Sequence, residues 1–568
     1  MKTKKVSISL FQIILILLII IAIIVAIIVM KNKGIGIGNL SFEPETYAGS
    51  GTSEDPYKIE KIEDLVSLAK NVNSGKTYKD KYFILVDKLD FREDESYRNM
   101  DDQTFGDINN DGQVDNIKNE LTQGLGFEPI GGKETKGNNI TSFEGIFDGN
   151  DKTIKNFTLN ISNDVSYSYI GLFGSNKGTI TNLRIMGNIF VDENLDNKNL
   201  CIGMIAAKNE GIMKSCVTEG TIVSTINGSA NYAKVGGIAG ENTGTITDSV
   251  NNINITSNQL KAGIVAQNSI VEGQQESGKI DNCTNNGEIK ELSSTSSYTA
   301  GIVAENKSGS IVNCTNDGNA EGKLVGGIVG NAKGGSIIAC QNTGAITNIK
   351  ENSTDTEIVG GIVALLEENA TLENCKNTGS ILGLTNIGGI AGENRANISQ
   401  ATNEGNISKI NEIIANKVNI GGITGLNYSG KIANSKNYGT ISSEVDSLVK
   451  LGGICGSLYS NSLIDTCENN GTLLGEGKII IPNEDLTINC SNCTNNAGGS
   501  AQRTAEGELY LGLIYGKFEE DIDTSSIDND LPSNIENNIE NDTINDIDNI
   551  INDNNIVTNE GTINNINE

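Results

Sequence analysis

The sharpest local motif in the sequence is Asp107-Ile-Asn-Asn-Asp-Gly-Gln-Val-Asp115. Asp107, Asn109, Asp111, Gln113 and Asp115 fall on alternate positions around Gly112. This is the D-x-N-x-D-G arrangement in which oxygens and a glycine turn wrap Ca²⁺. The twelfth position, where such loops place a bidentate acid, is Lys118, and Glu120 would need a different loop. Asp101 and Asp102 could complete either version. Calcium is the one cofactor these residues suggest, and an Asx-rich turn in an acidic insertion is the reading without a metal.

Other chemistry is scarce. The 568 residues include no His and no Trp. That removes the commonest general base and metal ligand, and every Ser-His or Cys-His nucleophile. Cys490-x-x-Cys493 is the only C-x-x-C, and with no second pair and no His it makes a poor zinc or redox centre. The acid pairs Glu367/Glu368 and Asp521/Asp523 could do acid–base or lyase chemistry, but none recurs beside a Lys or Arg cluster. The net charge of −30 disfavours nucleic acid as a partner, because phosphate binding needs clustered cations. It fits a soluble, self-repelling surface.

The elements that would position any such residues are repeats. A glycine-rich strand of the type G-G-I-x-G occurs at Ile170–Gly174, Ile202–Ala206, Val235–Gly240, Ala262–Ala266, Ala300–Ala304 and Val325–Gly330. It returns at Val359–Ala364, Ile387–Gly392, Ile420–Gly425, Leu451–Gly456 and Leu511–Gly516. The spacing of about 25 to 38 residues is that of a solenoid, propeller or array. The last gap, of about 60 residues, leaves room for one degenerate unit.

A second segment follows each strand, as in Ile280-Asp-Asn-Cys-Thr-Asn-Asn-Gly-Glu-Ile289. Alignment yields three columns. The first holds Cys216, Cys283, Cys314, Cys340, Cys375, Ala401, Ser435, Cys467 and Cys493. Asn285, Asn316, Asn342, Asn377, Asn403, Asn437, Asn469 and Asn495 form the second. The third runs Gly287, Gly318, Gly344, Gly379, Gly405, Gly439, Gly471 and then Ala497. Interchange of Cys with Ser and Ala implies a steric requirement, so a reduced, buried ladder is expected over disulfides. Stacked Asn amides can hydrogen-bond along the axis, and Gly permits a positive φ or a close approach. With about three short strands per unit, the expected fold is all-β, a right-handed parallel β-helix (β-solenoid). A propeller is second, because its blades are longer.

The flanks read differently. Residues 1–7 are expected in the cytoplasm, and the apolar run 8–30 is long enough for a transmembrane signal anchor. Residues 31–50 form a linker. Residues 51–165 hold a cap and the first turns, including a helix at Ile62–Val72 and a strand at Tyr82–Val86. The repeat helix covers 166–518. From Glu519 to Glu568 the chain carries fourteen carboxylates and no Lys or Arg, so this Asn-rich tail is expected to be disordered.

Gly51-Thr-Ser-Glu-Asp-Pro-Tyr-Lys-Ile59, Leu125–Gly131, Phe143–Asp151 and Ile170-Gly-Leu-Phe-Gly174 with Asn182 resemble the lead-in and repeats of bacterial GLUG-motif surface proteins, over about residues 49–516. That resemblance implies a β-solenoid at the cell surface, in proteins some of which carry proteases or adhesins. It implies little about activity. The expectation is a single-pass membrane protein with the bulk of the chain outside. It would serve as a spacer or adhesin-like scaffold for an extracellular glycan or protein ligand, without catalysis. The alternative is a β-helix polysaccharide lyase or hydrolase using Asp with Lys or Arg.

Overall fold

A computed structural model describes residues 47–92 and 127–519, apart from short segments at 136–138, 162–167, 192–198, 227–232, 275–276, 293–296, 350–356, 411–416, 444–447, 460, 477, 481–489, 497–498, 503–507 and 513–514. The coil at residues 233–257 shows how the repeat folds. Ala233–Gly236 forms a first wall, and Ala239–Asn242 with Thr245–Thr247 forms a second. Asp248, at φ 52°, turns the chain into a third wall, Val250–Ser257. The next coil stacks on it in parallel register, with Ala239 beside Val265, Ile246 beside Ile280 and Asn251 beside Asn285. The first wall reaches 12 strands in this way.

The expected three strands per unit are thus three walls. The second wall is usually built of two strands, and from residue 284 onward the third wall is divided too, as at Thr315–Asn316 and Ala320–Gly322. Parallel pairing of each unit with the next is solenoid architecture and rules out a propeller, whose blades are separate sheets. The fold is a parallel β-helix.

Alternation sends one residue in two toward the interior. On the second wall the inward column runs Ile180, Met213, Ile246, Ile280, Ile311 and Ile337, all fully buried. Each such side chain contributes about 2 kcal/mol of burial. The inward column of the first wall is polar at two neighbouring rungs, Lys261 and Thr299, both fully buried. Lys261 stands in register between Val235 and Thr299, fully buried, with its Nζ 3.7 Å from Glu291 Oε2. Its Nζ also donates to the Gln259 carbonyl and to Ser297 Oγ.

The Asn column is a hydrogen-bonded chain. Asn251, Asn285, Asn316, Asn342, Asn377, Asn403 and Asn437 each donate to the next amide oxygen at 2.7–2.9 Å. From Asn285 onward the same nitrogen also donates to the glycine carbonyl two residues on, as Asn342 does to Gly344 at 2.9 Å. Thr218 extends the chain at its start through Asn251.

The glycine column uses close approach and not a positive φ. A Cβ on Gly318 would lie 2.0 Å from the Gly287 carbonyl oxygen, and one on Gly379 would lie 1.9 Å from that of Gly344. The left-handed residues sit instead just before the Cys column: Ser215, Asp248, Asn282, Asn313, Asn374 and Asn434 have φ of 50–53°. Asn and Asp tolerate that region best. The thiols are free and point inward. Cys216, Cys283, Cys340, Cys375 and Cys467 each donate to the carbonyl two residues back at 3.4 Å, and Cys314 does so at 3.2 Å.

At the N-terminal end the helix runs Ile62–Asn73, where the Asp64 carboxylate accepts the backbone N–H groups of Glu60 and Lys61. Its buried face (Ile62, Leu65, Leu68, Ala69, Val72) covers the opening beside the rings of Tyr47, Tyr57, Tyr78 and Phe83. Below it Tyr57–Ile59, Tyr82–Leu85 and Ile146–Asp148 form the first rungs. At the other end the order changes: Glu508–Gly512 lies between Leu448–Gly452 and Lys478–Ile480 on the first wall. This accounts for the long last gap. The segment 8–30, residues 1–7 and the tail 520–568 lie outside the described residues. Among those described, no helix is long and apolar enough to cross a membrane.

Candidate functional site

The Gly-Gly corner between the first and second walls is sharp enough to bring their outer sides together. A Cβ on Gly240 would meet Cys201 Sγ at 2.6 Å, on Gly330 Tyr298 Cβ at 2.8 Å, and on Gly392 Ile358 Cγ2 at 2.3 Å. Where the position is not Gly it is Ala: Ala207, Ala266, Ala304 and Ala364 are buried there. The result is a crease along the stack. Its floor is a second apolar cluster, separate from the interior, that includes Leu260, Tyr298, Leu324 and Ile358.

One polar column follows this crease. Register aligns Lys208, Glu241, Gln267, Glu305, Asn331, Leu365, Glu393, Leu426 and Ser457. Glu241 pairs with Lys234, both side chains about one-fifth exposed. Burial disfavours both charges, but their mutual attraction wins, so Lys234 titrates above and Glu241 below its ordinary range. Glu305 is fully buried, accepts from Gln267 Nε2 at 3.0 Å and is flanked by Lys307 at 3.9 Å and Lys333 at 3.7 Å. Burial pulls the Lys307 ammonium down despite Glu305. Burial, then the charges of Glu305 and Glu367, push the Tyr298 hydroxyl up.

Toward the C-terminal end the network joins amides, aromatic rings and one further ion pair. Asn386 donates to Glu393 at 2.7 Å, Asn419 to Asn386 at 2.7 Å and Ser457 to Asn419 at 2.7 Å. Arg395 lies 3.7 Å from Glu393 and 5.2 Å over the ring of Tyr428, which stacks on Tyr459 at 4.7 Å. A separate depression of about 480 Å³ on the third wall is lined by Glu288, Lys290, Glu321 and Thr347, among others, with Lys290 and Glu321 3.4 Å apart.

Asp107, Asn109, Asp111, Gln113 and Asp115 lie outside the described residues, as do Asp521 and Asp523. Glu367 and Glu368 are successive residues of the strand Val363–Glu373, the first half-buried and the second exposed. Cys490 aligns with Ile464 on the second wall, whereas Cys493 follows the corner into the third, so the C-x-x-C straddles two walls. Among the described residues no group of three His, Cys, Asp or Glu side chains is placed to hold a metal ion.

Sequence reading missed the crease and a second Asn chain beside it. There Asn176, Asn209, Asn242 and Asn268 each donate to the next at 2.8 Å, and Asn268 reaches Asn306 at 3.0 Å. The signal was present: Ala-Gly-Glu-Asn at 239–242 and 391–394, Ala-Ala-Lys-Asn at 206–209 and Val-Ala-Glu-Asn at 303–306 repeat a charge between a small residue and an Asn.

No family model matches the chain. It is similar to halomucin of Haloquadratum walsbyi, 27% identical over 195 residues, which is 34% of this chain. The chain spans about 2% of the length of that relative. A solved structure from Bacteroides ovatus, described as a "putative immunoglobulin A1 protease", aligns over 85% of this chain and 88% of its own, at 16% identity and a TM-score of 0.23.

Proposed function

We propose that this chain is a cell-surface β-solenoid that presents the crease as a non-catalytic binding face. What carries the reading is the pairing of charges there. Glu241 has Lys234, Glu305 has Lys307 and Lys333, and Glu393 has Arg395. Each carboxylate lies beside a cation. The one buried oxygen of these three acids that lacks a hydrogen bond, Glu305 Oε2, lies 3.7 Å from Lys333, whereas a general base needs an oxygen positioned to take a substrate proton. Such a row suits hydrogen bonding to an extended polar partner, a glycan or a protein segment outside the cell. The stretch of likeness to a protein named as a mucin fits that setting.

In this reading the stack is right-handed. Residues 8–30 are the single-pass anchor, the GLUG-type repeats are the spacer, and the loop Asp107–Asp115 takes Ca²⁺. A melting temperature that rises in millimolar Ca²⁺ and falls on chelation supports the loop assignment. The same row of acids beside cations is what favours the alternative, a polysaccharide-active enzyme. Full-length protein tested on glycan and matrix-protein arrays, with mass analysis of the ligands, separates the two. Retention with unchanged ligand supports the binding face, and shortened glycan would sink it.

A further inference from the structure

The last rung of the third wall is Thr494–Asn495 with Gly499–Gln502, paired inward to Glu468–Asn469 and Leu473–Glu476. Among the described residues no second strand pairs with Gly499–Gln502, whose partner is Leu473–Glu476. An open parallel edge is a template for one more strand. This rung is also poorly filled. Register puts Gly499 in the interior column that Ile289, Ala320, Ile346, Ile381, Ile407, Ile441 and Leu473 occupy in the coils before it. The amphipathic wall therefore ends on a residue with no side chain.

The requirements for joining this wall can be read from its rungs. Thr402-Asn-Glu-Gly-Asn-Ile407 places Asn403 in the amide chain, sets Gly405 1.9 Å (by its would-be Cβ) from the Gly379 carbonyl oxygen, and buries Ile407. The tail carries Thr558-Asn-Glu-Gly-Thr-Ile563, the same residue at five of those six positions. Between Glu519, where the last second-wall strand ends, and Thr558 lie 38 residues. At about 3.3 Å per residue that is far more than the crossing of one coil requires. The likeness begins after the corner: Ile556 stands where the stacked coils have a left-handed residue such as Asn434. That corner accepts a β-branched residue, since Thr466 holds it at φ 52°, so the match of residues is with the strand that follows the corner.

We propose that Thr558–Ile563 docks on the outer edge of the rung at 494–502 as an additional parallel strand. Gly561 takes the close-approach column, and Ile563 covers the interior over Gly499. The tail is then the C-terminal counterpart of the helix at the opposite end, closing a stack that would otherwise offer its edge to other chains.

Hydrogen exchange on the full-length chain tests this, with a second variant guarding against a folding defect. Backbone amides of 558–563 are expected to exchange at least tenfold more slowly than those of 535–550. Gly561→Val, which adds side-chain bulk in the close-approach column, should abolish that protection and speed exchange at 494–502, leaving coils 200–403 unchanged. In N496C/E560C, oxidation should link the two sites within one chain, because adjacent rungs put the Cα atoms about 4.8 Å apart. Equal exchange of 558–563 and 535–550 overturns the proposal. So does a cross-link that forms only between chains and scales with concentration, which would make a second copy the occupant.

Discussion

Replacing Asn342 with Ala removes three buried hydrogen bonds from the middle of the third wall. Its Nδ2 donates to Asn377 Oδ1 at 2.8 Å and to the Gly344 carbonyl at 2.9 Å, and its Oδ1 accepts from Asn316 at 2.8 Å. Asn316, Asn342 and Asn377 are all fully buried. The change leaves Asn316 short of an acceptor, and the Gly344 and Asn377 oxygens short of a donor. A buried group left unpaired costs about 1–3 kcal/mol, and a water entering the small void recovers part of it, so we expect a loss of about 3–6 kcal/mol. In a stack whose units contact only their neighbours, the loss stays local. Hydrogen exchange should therefore accelerate by roughly a hundredfold or more across 314–346 and 375–381, with little change at 200–224. The control is Asn286→Ala, which removes an exposed 2.7 Å bond to Asn252 and should cost no more than about 0.5 kcal/mol. Equal effects of the two variants, or an Asn342 effect spread evenly over all coils, would refute the ladder as a source of stability.

Three further outcomes follow from the same geometry. Gly379→Ala forces a methyl group to within 1.9 Å of a backbone oxygen, and overpacking of that kind should cost about 1–3 kcal/mol in a melting experiment. Burial pushes the thiols of Cys216 and Cys455 up to about 12, so site-resolved alkylation at pH 8 should leave both unmodified until denaturant is added. Lys261→Met leaves Glu291 buried without its cation and should cost about 3–5 kcal/mol, whereas K261M/E291L should lie near wild type.

The Lys234–Glu241 pair sets a pH window. The carboxylate's contribution is present above its ordinary 4.5 and fades as acid passes the lower folded value. The ammonium's contribution is present below its ordinary 10.5 and fades as base passes the higher folded value. With both side chains about one-fifth exposed, Glu241→Gln should remove about 1–2 kcal/mol inside that window, measured as urea midpoints from pH 3 to 11.

The parallel stack was legible because its columns are steric. Small residues at Cys314 and Ala401, an amide at Asn377 and a glycine at Gly379 are each demanded by a neighbour one coil away, so they recur at the repeat spacing. The cap helix was legible from the spacing of Ile62, Leu65, Leu68 and Ala69. The crease was not, because it depends on how far a Gly-Gly corner bends. Spacing alone does not show that Cys201 comes to rest against Gly240. Lys261 was equally hidden: it takes the inward place of Val235 and Thr299, and only the register reveals that Glu291 accompanies it.

The most direct test of the binding-face assignment is an array measurement with mass analysis, using full-length wild type beside Glu241→Gln, whose side chain is about one-fifth exposed. The expected result is retention on one class of extracellular glycan or matrix protein, weakened by the substitution, with ligand mass unchanged in both. Glycan shortened by wild type and left intact by Glu241→Gln would contradict it and make the crease an active site.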